Sequence, residues 1–298
     1  MISVVWFLIL TEKRMIVLHH NDIDGRAAGA IIRLQYPNEN IKFVEMNYNK
    51  KVPFEQIEAG ETVFIVDFSL QNPGDWETLL SITGDVHWID HHATAIEKEG
   101  IQNRLPGLRR TDGCGALLTW MYIKGQDVIS EAPEQAPEAL RLVDDWDRWV
   151  HSDERTKPFK YGLEMQDHGP EALIWPEMLG YGGKAWIERL VEEGLIAMKY
   201  ENQANLDYMK AYGFESSIDG HLVYVMNKAR VSSLAFDKKM DEYPICACFV
   251  YDGALFTVSL YTARDDIHVG NICVARGGGG HPKAAGFQTT EIPFLRVE

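Results

Sequence analysis

Three short apolar runs in the first hundred residues each end in side chains that bind protons or metals. MIVLHH (15–20) leads into Asn21-Asp22-Ile23-Asp24-Gly25, TVFIVD (62–67) closes on Asp67, and VHWID (86–90) runs into His91 and His92. A later segment, VDDWDRW (143–149), adds Asp144, Asp145 and Asp147 beside Trp146 and Trp149. Taken singly, each piece has an ordinary explanation. An Asp after a strand often caps the next helix, a histidine pair can be a polar loop, and an acidic helix end can simply face water. DIDG also begins like an EF-hand loop, but Gly25 comes too early and the ladder of ligands is missing. Gathered in one place, these groups demand more. Two unit charges about 4 Å apart repel by roughly 1 kcal/mol in water and about 4 at an effective dielectric near 20. Four or five carboxylates must therefore take up protons or bind cations. Oxygen-rich clusters with a minority of imidazoles and no thiolate suit manganese or magnesium better than structural zinc. A pair of such ions generates hydroxide near neutral pH and clamps the attacking and leaving oxygens of a phosphoryl transfer.

The elements that must bring them together are readable. The three runs have the length and β-branched content of strands buried on both faces, and IKFVEMNY (41–48) alternates like a fourth. A helix is expected over Arg26–Tyr36, just after Gly25, so strands and helices alternate as in a parallel α/β sheet with right-handed crossovers. Ligands of such sheets bind beyond the carboxyl ends of the strands, where the acids and histidines lie. Further helices are expected over TDGCGALLTWMYI (111–123), capped by Thr111 or Asp112, and over PEALRLVDDWDRW (137–149). One long helix should run from about Lys184 to Tyr212, followed by strands at HLVYVMN (221–227), YPICACFVYDG (243–253) and LFTVSLYT (255–262). The last two are joined by a hairpin signal at Tyr251-Asp252-Gly253. The fold class is thus α/β, a parallel-sheet N-terminal domain (15–185) joined by a long helix (186–213) to a smaller α+β domain (214–298). A start at Met15 would open directly on the first strand, and residues 1–14 are read as an upstream extension.

With these residues assembled, the sequence resembles the DHH-family phosphoesterases followed by the DHH-associated C-terminal domain. The matching motifs are HHNDIDG (19–25), VDFS (66–69), IDHH (89–92), VDDWD (143–147) and GGGGHPKAAGF (277–287), spread over nearly all of residues 15–290. The resemblance implies two manganese ions, with magnesium as the alternative. His20, Asp22 and Asp67 would hold one, and Asp24, Asp67, His91 and a later Asp the other. His20 is preferred to His19 because it stands two before Asp22. Asp145 is preferred as the later Asp because Trp149 follows four residues on; Asp147 is the reserve, and Asp144 stays open. His92 would touch a phosphate oxygen and Asp90 would orient its neighbours. In the C-terminal motif, Gly278, Gly279 and Gly280 are expected to bring backbone N–H groups to a phosphate or terminal nucleotide, with His281 donating beside them. Family members often carry an Arg after the preceding strand. Here Tyr261 stands about there, and Arg264 is the expected anchor.

Composition narrows the substrates. The 298 residues carry a formal net charge of -15, which disfavours grip on a long duplex, since that comes from Lys and Arg displacing counterions. Neither an OB-like third domain nor a basic stripe for long single strands is evident. The four cysteines (114, 246, 248 and 273) form no CxxC pair, so a reducing cytoplasm is expected. The opening MISVVWFLIL is too short to span a bilayer, which takes about 20 apolar residues. No membrane partner is expected, and a homodimer stays open. The leading reading is a manganese-dependent phosphodiesterase that cuts short oligoribonucleotides or dinucleotides to mononucleotides. Its rivals are pyrophosphate or polyphosphate hydrolysis, a 3′-phosphoadenosine 5′-phosphate phosphatase, and a non-catalytic nucleotide sensor, which should have lost metal ligands.

Overall fold

The computed structural model describes residues 14–48, 50–98, 100–125, 135–180, 182–229, 231–236 and 238–297. The proposed upstream extension therefore lies outside the described residues, apart from Arg14. The chain separates into two compact units, Met1–Ala197 and Met198–Glu298. The dividing point falls inside the long helix, between the expected domain limits at 185 and 214.

The first unit is built on four parallel strands, β1 (Arg14–His20), β2 (Asn40–Met46), β3 (Thr62–Val66) and β4 (Val86–Ile89), in the order β2-β1-β3-β4. Alternate residues of β1 and β3 enter opposite cores. Met15, Val17, Phe64 and Val66 face one, and Ile16, Leu18, Val63 and Ile65 the other. Burial on both faces is why these strands read as continuous apolar runs. The first core is closed by α1 (Ile23–Gln35), α4 (Gly115–Lys124) and α5 (Glu138–Asp147), the second by α2 (Pro73–Ile82). A short α3 (Ala93–Ile96) follows the DHH triplet. In the second core Trp76 and Trp88 pack with ring centroids 5.1 Å apart. Their indole N–H groups donate to Leu70 O (3.2 Å) and Phe68 O (3.0 Å), which pins the chain just beyond β3.

Two helix starts differ from expectation, for one physical reason. α1 begins at Ile23 rather than after Gly25, because the Asp22 carboxylate accepts the Gly25 N–H (2.9 Å) and caps the helix earlier. α4 begins only at Gly115, and neither Thr111 nor Asp112 caps it. Its first amides are taken by carboxylates distant in the chain. Cys114 N donates to Asp144 (2.7 Å), and Gly115 N and Ala116 N donate to the two oxygens of Asp24 (2.6 and 2.7 Å). Helices α6 (Thr156–Glu164) and α7 (Ile174–Leu179) complete this unit, and the 30-residue α8 (Gly183–Tyr212) passes the dividing point.

The second unit holds a six-stranded mixed sheet in the order β5-β6-β7-β8-β10-β9. Its strands are β5 (Phe214–Ile218), β6 (His221–Met226), β7 (Ile245–Tyr251), β8 (Phe256–Tyr261), β9 (Gly279–Gly280) and β10 (Ala284–Thr289). β7 and β8 form the expected hairpin. Val223, Val225, Ile245 and Ala247 enter one apolar cluster, Tyr224, Met226, Cys246 and Cys248 another, so both faces are covered. All four cysteines are free and buried. Among the described residues no helix is long and apolar enough to cross a membrane.

Candidate active site

The parallel register aligns the carboxyl ends of the inner strands. His19 pairs with Val66, and Val66 with Ile89, so His20, Asp67 and Asp90 emerge side by side. Asp67 leaves β3 in the left-handed region (φ 53), a conformation Asp tolerates better than most residues, with its N–H donating to Ile89 O at 2.9 Å. This turn sends its side chain into the cluster. Gly115 permits it, since a Cβ there would lie 2.4 Å from the Asp67 Cβ.

Three overlapping groups could each hold a cation: His20, Asp22 and Asp67; Asp24, His91 and Asp147; and Asp67, His91 and His92. His20 Nδ1 lies 2.5 Å from Asp22 Oδ2 and 3.7 Å from Asp67 Oδ2. His91 Nε2 lies 3.1 Å from Asp67, 3.3 Å from Asp147 and 3.7 Å from Asp24. Asp67 is 1% exposed, yet neither of its oxygens has a hydrogen-bond partner. A buried carboxylate left bare in this way is a costly arrangement unless a proton or a cation completes it. The donor set, carboxylates with imidazoles, fits divalent metal ions.

The electrostatics agree. Burial pushes Asp67 well above the usual carboxylate range, and repulsion from Asp24, Asp22, Asp147 and Asp90 adds to it. Asp147 is pushed up to about 9, by burial first and then by Asp24 and Asp22. Burial also works against Asp22, but the His20 hydrogen bond and charge, with the Gly25 N–H, hold it at about 2. Burial lowers His91, favouring the neutral ring a metal requires. His92 goes the other way: despite burial, its hydrogen bond to Asp90 raises its pKa. Asp90 Oδ1 accepts from His92 Nδ1 (2.8 Å) and from the backbone N–H groups of His91 (2.8 Å) and His92 (3.2 Å), so it orients the His92 imidazole and fixes the backbone that carries His91.

The expected residues divide unevenly. His20, Asp22, Asp24, Asp67, Asp90, His91 and His92 converge. His19 is buried and turned away, with Nδ1 on His20 O and its ring near Phe43. Asp145, the preferred later ligand, requires correction. Its oxygens accept from Ser152 N (2.8 Å), Ser152 Oγ (2.6 Å), Thr156 Oγ1 (2.5 Å) and Asp153 N (3.3 Å), so it ties down the turn after α5. Asp147 is the acid that reaches His91, and Asp144 is occupied by Cys114 N and Arg148.

In the second unit several amides of the glycine motif bond within the fold. Gly277 N donates to Val274 O, Gly278 N to Cys273 O and His281 N to Ala284 O, while Gly279 and Gly280 pair with β10. Gly280 has φ 136, and a Cβ there would meet Ala285, so its glycine is needed for close strand approach. Arg264 is exposed and bound to Asp266 at 2.8 and 2.6 Å. The sequence reading missed the Cys114–Ala116 amides and the Tyr48 ring. Tyr48 continues from β2 at the same sheet end, with its centroid 5.6 Å from His20 and 6.2 Å from His92. The rule that pointed to Asp67 could have found it.

Fold and site together define a parallel α/β domain whose strand ends carry a carboxylate–imidazole cluster suited to divalent cations. No family model matches the chain. It is similar to oligoribonuclease NrnB of Bacillus subtilis (strain 168), with 24% identity over 292 residues, 91% of this chain and 72% of the relative. Among solved structures it is similar to the DHH domain of a member of the s1p family of ribosomal proteins, with a TM-score of 0.63 and 13% identity. That match covers 92% of this chain and 82% of the other. The chain thus shares the fold of a DHH domain and carries, in order, the five motifs in which its sequence resembles the DHH-family phosphoesterases.

Proposed function

We propose that this protein is a phosphodiesterase that hydrolyses short oligoribonucleotides or dinucleotides to mononucleotides with two divalent cations, manganese in preference to magnesium, in a cytoplasmic setting. The observation that carries the metal dependence is Asp67, wholly buried among four other carboxylates, with two imidazoles turned toward its oxygens but no well-formed hydrogen bond to either. His20, Asp22 and Asp67 would hold one cation, and Asp24, Asp67, His91 and Asp147 the other. Bound there, such cations supply Lewis acidity and lower the pKa of water. The protein's own groups do the rest. Asp90 accepts a hydrogen bond from His92 Nδ1–H and stabilises the charged ring, which leaves Nε2–H free to donate to a phosphate oxygen. Asp24, clamped by the Gly115 and Ala116 amides, is fixed before any cation arrives. The choice of short RNA is supported by the likeness to an oligoribonuclease and by the net charge of -15, which disfavours long polyanions.

The test offers a two-to-five-residue RNA, a cyclic dinucleotide, pyrophosphate and 3′-phosphoadenosine 5′-phosphate in parallel, with manganese. Mononucleotides from the RNA are expected. Phosphate release from pyrophosphate alone would replace this reading with that of a pyrophosphatase.

A further inference from the structure

A cleft of about 460 Å³ opens in the first unit beside the carboxylate cluster, lined in part by Tyr48, Lys51, Phe68, Gln71, Asn72 and Asp75. Two of its lining rings, Tyr48 and Phe68, also touch imidazoles of the site. The Tyr48 ring lies 5.6 Å from His20 and 5.5 Å from Phe68, and Phe68 in turn stacks on His20 at 6.5 Å. Phe68 is fully enclosed and its backbone is held by Trp88, whereas Tyr48 is 48% exposed and turns an aromatic surface outward. Lys50 is anchored on Glu45 O (2.9 Å), and Lys51 has no acidic partner among the described residues. Asn72 and Asp75, hydrogen-bonded to each other at 3.0 Å, sit exposed at the start of α2 with further donor and acceptor capacity.

We propose that this cleft is a nucleoside subsite, in which Tyr48 stacks on a base of the substrate while Lys51 neutralises a neighbouring phosphate. The inference rests on the phosphodiesterase reading and sharpens it. A substrate made only of phosphate gains nothing from a rigid aromatic wall, whereas every nucleobase has a π-face for one. An exposed tyrosine within ring contact of two imidazoles of the site would place a base one nucleotide's reach from the phosphate being cut. Asn72 and Asp75 lie where a base edge could be read, which makes the cleft a source of base preference. Tyr48 and Lys51 are thus positioning residues and touch no reacting atom.

The test compares two substrates, a ribodinucleotide and the same molecule with one base removed, on the parent protein and on Tyr48→Ala, Tyr48→Phe and Lys51→Ala. Tyr48→Ala should lower kcat/KM for the dinucleotide at least about tenfold more than for the abasic analogue. The loss should appear in KM, and Tyr48→Phe should restore it. Direct titration of a nucleoside monophosphate should show the same ranking, with Lys51→Ala weakening it and steepening no base preference. Equal loss on both substrates, or full dinucleotide activity in Tyr48→Ala, would overturn the subsite. A parent protein that cleaves pyrophosphate but neither dinucleotide would instead overturn the underlying function.

Discussion

Asp147 offers the sharpest test of how the cluster is balanced. An ordinary aspartate releases its proton near 3.8, whereas in the metal-free fold Asp147 holds it to about 9. Each pH unit of that gap is worth about 1.36 kcal/mol. At pH 7 the gap costs the metal-free fold on the order of 4 kcal/mol. The sign follows from proton binding: between the two values the folded protein holds more protons than the unfolded chain, so stability falls as pH rises through that window. Asn has no such proton and can still face His91, which lies 3.3 Å from the Asp147 oxygen. Asp147→Asn should therefore be more stable than the parent in chelator at pH 7. With roughly 2–4 °C per kcal/mol for a unit of this size, the melting temperature should rise by about 8–16 °C. Near pH 4 the gain should vanish. Saturating manganese should then narrow or reverse the difference, because a cation that binds only the folded state stabilises the parent more. Calorimetric melts at both pH values, with chelator and with manganese, make the measurement. An unchanged or lower melting temperature at pH 7, or a gain that ignores pH, would refute the reasoning.

Other substitutions separate the roles of the remaining groups. Asp67→Ala should abolish turnover and lower the bound manganese measured by elemental analysis. Gly115→Ala places a methyl 2.4 Å from the Asp67 Cβ and should cost roughly 1–3 kcal/mol of stability together with metal affinity, seen by melting and by metal titration. Asp145→Ala strips the acceptor from Ser152, Thr156 and Asp153 and should destabilise by about 2–4 kcal/mol, while folded protein keeps its full metal content. Because Asp67 and Asp147 both hold protons above the usual range, manganese binding at pH 7 should release protons, and affinity should rise with pH, as titration calorimetry in buffers of different ionisation enthalpy would register.

The parts of this molecule that were legible in the sequence are those governed by local period and by sheet topology. β1, β3 and β4 announced themselves through uninterrupted apolar runs, and the parallel sheet dictated that His20, Asp67 and His91 share one end. What escaped depends on chain distant in sequence. α4 starts late because its caps are Asp24 and Asp144, from α1 and α5. Asp145 and Asp147 stand two residues apart on a helix, about 200° around it, so only one can face the cluster. The choice between them is made by the turn beyond α5, where Trp149 (φ 57) and His151 (φ 52) swing Ser152 and Thr156 onto Asp145. A glycine run reads equally well as an anion nest or as a strand forced close to its neighbour, and in β9 Gly279 and Gly280 do lie paired against β10. Tyr48 went unnoticed because an aromatic at a strand end carries no charge to draw attention.

Anomalous diffraction from crystals grown with manganese tests the central claim most directly. Two peaks are expected within coordination reach of the Asp67 carboxylate, one completed by His20 and Asp22, the other by Asp24, His91 and Asp147. A manganese-soaked protein with ordered Asp67 oxygens and no anomalous density beside them would contradict the account.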